Sequence, residues 1–218
     1  MSSIRLVWVT PDAEKNITYC ARVSSPQNQD DLETAPRLLR YCIKNRHWSI
    51  FEMANMCVEI NTTRSISAQI LRHKSISFQE MSSRYSNVHV LGSSVMPHLR
   101  RQDHKNRQNS IDDLDAETVN SFFRRISIIF EDTEHLYHEM LSAGVAKECA
   151  REILPLATPT RLYANASLRS WITYIALREK NGTQLEHQKI AKDLKVIFCG
   201  QFPTIAEALG GDEEEWHI

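Results

Sequence analysis

Residues 64–86 read RSISAQILRHKSISFQEMSSRYS. Arg64, Arg72, Lys74 and Arg84 stand there against a single acid, Glu80, and His73 lies between two of the cations. Ser65, Ser67, Ser75, Ser77, Ser82, Ser83 and Ser86 add short hydroxyls. Arginine presents a planar fork of donors that matches carboxylate or phosphate oxygens. Hydroxyls and backbone N–H groups complete such anion sites. Crowded like charges add little stability, so the stretch reads as a solvated basic face or as an anion site. Asn61, Thr62 and Thr63 can end a strand and cap a helix that starts near Arg64. On that helix Ile66 and Ile70 face the core, while Gln69, Arg72 and His73 present polar groups to one neighbourhood. Beyond Lys74, the alternation Ser75–Ile76–Ser77–Phe78 fits a strand or a loop.

Upstream, residues 4–9 (IRLVWV) read as a short strand, and Pro11 and Asp12 open a helix that runs to about Ala21. Residues 31–45 form an amphipathic helix, with Ala35, Leu38, Leu39, Cys42 and Ile43 on one stripe. Residues 53–60 alternate as a strand. Downstream, residues 92–113 are polar and aperiodic and read as a long loop or mobile insertion. Its cluster HLRRQDHKNR is a solvated loop or an anion contact. Residues 115–143 form the longest helix, stopped at Gly144. On it His135 and His138 lie three apart with no second ligand pair, so they read as surface or interface residues. A helix over 145–153 ends at Pro155, and residues 160–166 form a strand or extended link. Ser167 can cap a helix over 167–178. At 100° per residue, Arg178 shares a face with Ser167, Trp171 and Tyr174, and Arg169 points away. One compact site cannot easily use both arginines from one copy of this helix. Asn181–Gly182 marks a turn, and Thr183 with Glu186 spells a capping box for a helix over 184–199. A short helix from Pro203 to Leu209 closes at Gly210–Gly211, and the acidic DEEEWHI is expected to be exposed.

The 218 residues suit one domain with a sizeable core, and 42% hydrophobic residues is a globular level. A net charge of −1 argues against a general nucleic-acid binder, since the basic residues are local to 64–84 and 98–107. The five cysteines are odd in number and lack a C-x-x-C, which fits reduced thiols and neither a disulfide framework nor a zinc site. No apolar run approaches a membrane span, and MSSIRLVWVT lacks a signal-peptide pattern. The expectation is a cytoplasmic protein without membrane or metal.

Arg72, His73 and Lys74, followed by seven residues and Ser82, resemble the signature of the flavin-dependent thymidylate synthases. That signature is Arg-His-Arg, seven residues, Ser, so Lys74 departs from it. Glu80, Met81, Ser83, Arg84 and Tyr85 resemble its continuation, and further blocks of likeness run from about Ala21 to Leu209. The resemblance implies an α+β fold, a mixed sheet packed with long helices, in a homotetramer with sites shared between subunits. It implies one domain over 1–218, with the polar loop at 92–113 and the acidic tail at 212–218. The implied reaction transfers one carbon from 5,10-methylenetetrahydrofolate to carbon 5 of dUMP, with hydride from FAD that NADPH reduces. For a viral source, the location would be the host cytoplasm.

By the same resemblance, Gln69, Ile70, Leu71, Arg72, Glu80, Met81, Ser82, Ser83, Arg84, Arg151 and Arg178 hold dUMP. FAD falls to Ser24, Ser49, Glu52, Arg72, His73, Lys74, Ser75, Glu80, Ser167, Leu168, Arg169, Thr173, Gln184 and His187. For Ser24, a turn or helix-end serine is an equal reading. Arg178 and Ser82 are the catalytic candidates. Arg178 would stabilise negative charge on the uracil ring. Ser82 lacks an adjacent base and is assigned to orienting the nucleotide. Ser167 and Thr173 stand where many relatives have asparagine. EKNGTQLEHQ at 179–188 resembles a second branch in which Gln184 and His187 take over. Cys20, Cys42, Cys57 and Cys149 read as core or near-core residues, and no cysteine is expected to be catalytic. Two other readings remain: a related hydroxymethylase acting on dUMP or dCMP, and a non-enzymatic nucleic-acid-binding module using 64–107. The latter lacks an aromatic stacking series.

Overall fold

The structure, a computed structural model, describes residues 2–212, 214–216 and 218. Its centre is β2 (Asn55–Thr63), whose Met56, Val58 and Ile60 are buried. Strand β1 (Ser3–Val9) pairs with one edge of β2 and β6 (Pro159–Ser167) with the other. Strand β3 (Ser77–Glu80) pairs with the far edge of β6, giving the order β1-β2-β6-β3. Every pairing is antiparallel, so the expected mixed sheet is not found. The reason lies in the connection. β2 and β3 run the same way, joined by α3 (Arg64–Ile70), but β6 inserts between them and removes the parallel contact. Asn61, Thr62 and Thr63, expected to end β2, instead pair with Arg161, Thr160 and Pro159. β-Branched threonine suits such a strand.

Helices α1 (Ala13–Ala21) and α2 (Ala35–Lys44) follow β1. α2 starts later than position 31 because Asp31 takes the Glu33 and Thr34 N–H groups, and Pro36 sits in the first turn. Buried Arg22 ties that turn down by donating to the Asn28 and Asp31 carbonyls and to Thr34 Oγ1. A hairpin of β4 (Arg101–Gln102) and β5 (Ser110–Ile111) organises the polar loop. Next comes α4 (Ala116–Ser142), capped by Asp115, which accepts from Thr118 N at 2.8 Å. After α5 (Lys147–Ala150) and β6 come α6 (Leu168–Arg178), α7 (Leu185–Gln201) and α8 (Pro203–Leu209). As expected, Ser167 caps α6. The capping box on α7 does not form: the Glu186 carboxylate binds Arg100 and Gln184 instead.

Trp171, Ile172 and Ile175 of α6 and Ile190, Leu194 and Phe198 of α7 share one buried cluster with β2 and β6. In contrast, α4 leaves its apolar stripe half-buried or exposed, with Phe122 48% and Ile129 59% exposed and Tyr137 its one fully buried side chain. The expected exposed tail holds at Asp212, Glu214, Glu215 and Ile218 and fails at one residue. Trp216 is buried against Phe198, an apolar anchor inside an acidic run. Glu213 and His217 of that run lie outside the described residues. All five cysteines are unbridged. Cys42 and Cys57 are buried, but Cys20 and Cys149 are exposed, contrary to the near-core reading. α1 buries Ala13, Ile17 and Thr18 and turns Cys20 outward. Among the described residues no helix is long and apolar enough to cross a membrane, and no cluster of His, Cys, Asp or Glu can hold a metal.

Candidate active site

Helix α3 is shorter than the sequence suggests. It stops at Ile70, and a turn follows in which His73 N–H donates to the Ile70 carbonyl. That turn lays the His73 ring edge-on to Tyr174 of α6, 4.7 Å between centroids. Arg178, one turn beyond Tyr174, donates Nε–H to His73 Nε2 at 2.9 Å. Burial first, and the Arg178 charge second, push the His73 pKa down to about 4. His73 is therefore neutral near pH 7 with Nε2 free to accept.

A second chain of hydrogen bonds starts from the same tyrosine. Tyr174 Oη lies 2.9 Å from His187 Nε2, and His187 Nδ1 lies 3.3 Å from Gln69 Oε1. Gln69 Nε2 donates to Gln184 Oε1 at 2.7 Å, and Gln184 Nε2 donates to Glu186 Oε2 at 2.9 Å. The Glu186 carboxylate accepts both forks of Arg100, at 2.7 and 3.1 Å. Each partner can act as donor to the next if His187 is neutral and protonated at Nδ1. Burial, then the charge of Arg178, hold His187 at about 4, which keeps it neutral. Burial also pushes the Tyr174 phenol up, so it stays a donor. The sequence singled out Gln69, Gln184 and His187. Arg100 falls in the cluster read as a solvated loop or an anion contact, but nothing in the sequence named Glu186, 86 residues away, as its partner. The place of Tyr174 on the Arg178 face was legible, but its partner was not.

A third group follows β3. Glu80 Oε1 accepts from Ser67 Oγ at 2.7 Å and Thr160 Oγ1 at 2.8 Å, pinning α3 and β6 to the start of the next loop. The loop turns Ser82 and Arg84 outward and buries Ser83, to which Arg151 Nη1 donates at 3.4 Å. Ser82, Arg84, Tyr85, Ala146, Lys147 and Glu148 line an open cleft of about 420 Å³. Arg84 is paired across it with Glu148 at 2.9 Å, both exposed. Met81 N–H is held by the Arg161 carbonyl.

The other expected residues stand elsewhere. Arg169 pairs with Glu52 at 3.3 Å, close to the short turn at 48–52 that carries exposed Ser49. Thr173 donates back to the Arg169 carbonyl, Leu168 is buried in the core, and Ser167 is engaged in its cap. Ser24 is exposed beyond the end of α1. Leu71, Arg72, Lys74 and Ser75 are exposed, and Ile70 is buried in the core. Among the described residues no hydrogen bond or ion pair joins the Arg169 pair to the Arg178 group. Arg72 and Lys74 face solvent, and among the described residues neither makes an ion pair, a donor set that fits the phosphates of a dinucleotide.

A family profile described as "Thymidylate synthase complementing protein" matches residues 5–204. The chain is 51% identical over 193 residues to the flavin-dependent thymidylate synthase of Synechocystis sp., covering 88% of this chain and 87% of that one. It is 49% identical over 198 residues to the probable flavin-dependent thymidylate synthase of Paramecium bursaria Chlorella virus 1, covering 90% of each. The chain belongs to the flavin-dependent thymidylate synthase family. The fold agrees with a solved family-like structure, the UMP/dUMP methylase PolB of Streptomyces cacaoi bound with 5-Br dUMP. That match has a TM-score of 0.85, 22% identity, and 99% and 97% coverage of the two chains. In this flavin-dependent thymidylate synthase family member, Lys74 keeps the charge of the signature arginine without its fork.

Proposed function

We propose that the protein converts dUMP to dTMP, with methylenetetrahydrofolate as carbon donor. Bound FAD supplies the hydride for this reaction and is reduced by NADPH. The observation that carries the reading is Arg178, whose Nε–H is held by neutral His73. Among the described residues no hydrogen bond engages its Nη groups, which leaves them to a ligand. A guanidinium fixed in this way stabilises negative charge on a uracil ring without reorganising during the reaction. Gln69, Ile70, Leu71 and Arg72 form the wall beside it. The cleft at Ser82, Ser83, Arg84 and Arg151 takes the nucleotide phosphate. Arg84 can exchange its exposed Glu148 partner for phosphate at little cost, since exposed pairs contribute about 0–1 kcal/mol. Met81 and Glu80 hold the loop that carries these donors. Among the described residues no hydrogen bond joins the Ser82 hydroxyl to a base, and Ser82 orients the nucleotide.

Arg72, His73, Lys74, Ser75, Gln184 and His187 form one part of the flavin surface. Ser24, Ser49, Glu52, Ser167, Leu168, Arg169 and Thr173 form the other, contributed by a different subunit of a homotetramer. Two features support sharing between subunits: the opposed arginines of α6 and the half-buried or exposed apolar stripe of α4. Unbridged cysteines agree with a cytoplasmic location. The test is anaerobic incubation with FAD, NADPH, methylenetetrahydrofolate and dUMP or dCMP, followed by mass analysis of the nucleotide. A methylated product from dUMP is expected. A hydroxymethylated product, or one made only from dCMP, would overturn the assignment.

A further inference from the structure

Glu179 directly follows Arg178 and closes α6, yet only 4% of it is exposed. A buried carboxylate needs partners on both oxygens. Lys195 of α7, equally buried, donates to Oε2 at 2.8 Å. The backbone N–H of Trp216 donates to Oε1 at 2.9 Å. Gln188 Nε2 donates to the Glu179 carbonyl at 2.9 Å. Lys195 also donates to the Glu214 carbonyl, and its ammonium stands 5.0 Å from the centre of the Trp216 ring. Trp216 is itself 0% exposed, stacked edge-on to Phe198 at 5.4 Å, with Nε1 donating to the Gly211 carbonyl at 2.7 Å. Gly210 and Gly211, at φ of 104° and 77°, turn the chain back so that this reach is possible. Gly210, Gly211, Glu214 and Trp216 lie beyond residue 204, where the family match stops.

We propose that Trp216, brought back by the turn at Gly210 and Gly211, is a clamp that positions Arg178, acting through Glu179. The last turn of a helix has carbonyls without intrahelical partners and frays unless something holds it. Arg178 stands in that last turn, and the chain then enters the turn around Gly182. Glu179 anchors this end at three points: its carbonyl and both carboxylate oxygens. With the anchor in place, the Arg178 guanidinium keeps its Nε–H on His73. With the anchor lost, the last turn loosens and the guanidinium leaves its working position. Trp216 and Glu179 touch no substrate, so both are positioning residues. The inference rests on the reading of Arg178 as the group facing the nucleotide.

The experiment is a double-mutant cycle in the full chain between Trp216→Ala and Arg178→Ala, with Trp216→Phe as the conservative control. Trp216→Ala is expected to lower kcat for dTMP formation by about 10–100-fold while leaving the bound FAD in place. It should speed amide exchange at residues 176–181. Trp216→Phe keeps the ring and the backbone donor and is expected to retain most turnover. In the Arg178→Ala background, Trp216→Ala should cost little more, because the residue it positions is already gone. Equal losses in both backgrounds would overturn the clamp, and so would wild-type kcat with unchanged exchange. If Trp216→Ala does not fold, Trp216→Leu, which keeps the apolar volume, takes its place in the same cycle. If the unmodified chain makes no dTMP, the reading of Arg178 fails. Amide exchange at 176–181 then still decides whether Trp216 clamps the helix end.

Discussion

The neutral state of buried His187 makes the stability of the protein depend on pH in a defined window. His187 has an ordinary pKa of 6.5 and is held near 4 in the folded protein, by burial first and then by the Arg178 and His73 neighbours. Unfolded chains therefore bind a proton here that folded chains refuse between these two values. Stability from this residue is complete above pH 6.5 and is lost as pH falls towards 4. At 1.36 kcal/mol per pKa unit, the loss by pH 5 is about 2 kcal/mol. That is a substantial share of a typical 5–15 kcal/mol. The assay is urea unfolding at pH 7 and pH 5, at one protein concentration and saturating FAD, for the wild type and His187→Gln. The wild type should lose about 2 kcal/mol more than the variant over that interval. Equal losses would mean that His187 takes up a proton as readily in the folded as in the unfolded chain, and the depressed pKa argued for this buried ring would be wrong.

The two arginines proposed to face the nucleotide should fail differently. Arg178→Ala should keep FAD and lower kcat by about 10²–10³, as for other lost transition-state charges. Arg151→Ala should raise KM for dUMP by about 10–100-fold, the worth of one charged hydrogen bond, and change kcat little. Steady-state kinetics with dUMP separate the two, and a pure KM effect for Arg178→Ala would remove its assigned role. For the cysteines, burial holds the Cys42 and Cys57 thiols above their usual range and takes Cys199 to about 11. Single replacement of each cysteine by alanine should leave turnover near the wild-type rate. Loss of turnover with flavin still bound would identify a nucleophile that the reading denies.

Elements fixed by local pattern were legible before the structure. The stripe and the stop at Gly144 placed α4 over 115–143, against Ala116–Ser142 observed, and Ser167 announced α6. The spacing of Arg169 and Arg178 already put them on opposite sides of one helix. What escaped depends on partners distant in sequence. The Thr183–Glu186 box lost to Arg100, α2 was shortened by the turn that Arg22 organises, and an insertion by β6 kept β2 and β3 apart. Trp216 was hidden because the four acids that precede it in DEEEWHI gave the run its acidic character. The link from Tyr174 to Gln69 through His187 needs three elements in place at once, and no one of their sequences encodes it.

The central position of β6 carries a consequence for how the chain is made. Asn61 of β2 and its partner Arg161 of β6 are 100 residues apart. At about 5–20 residues per second, a ribosome takes roughly 5–20 s to supply the second strand after the first. Through that interval β1 and β2 can pair, but the other edge of β2 has no neighbour. An uncovered apolar edge is a template for the wrong strand, including the same strand from a neighbouring nascent chain. Yield in a cell should therefore depend on translation speed across residues 64–158 and on chaperones that shield β2, more than on the stability of the finished fold.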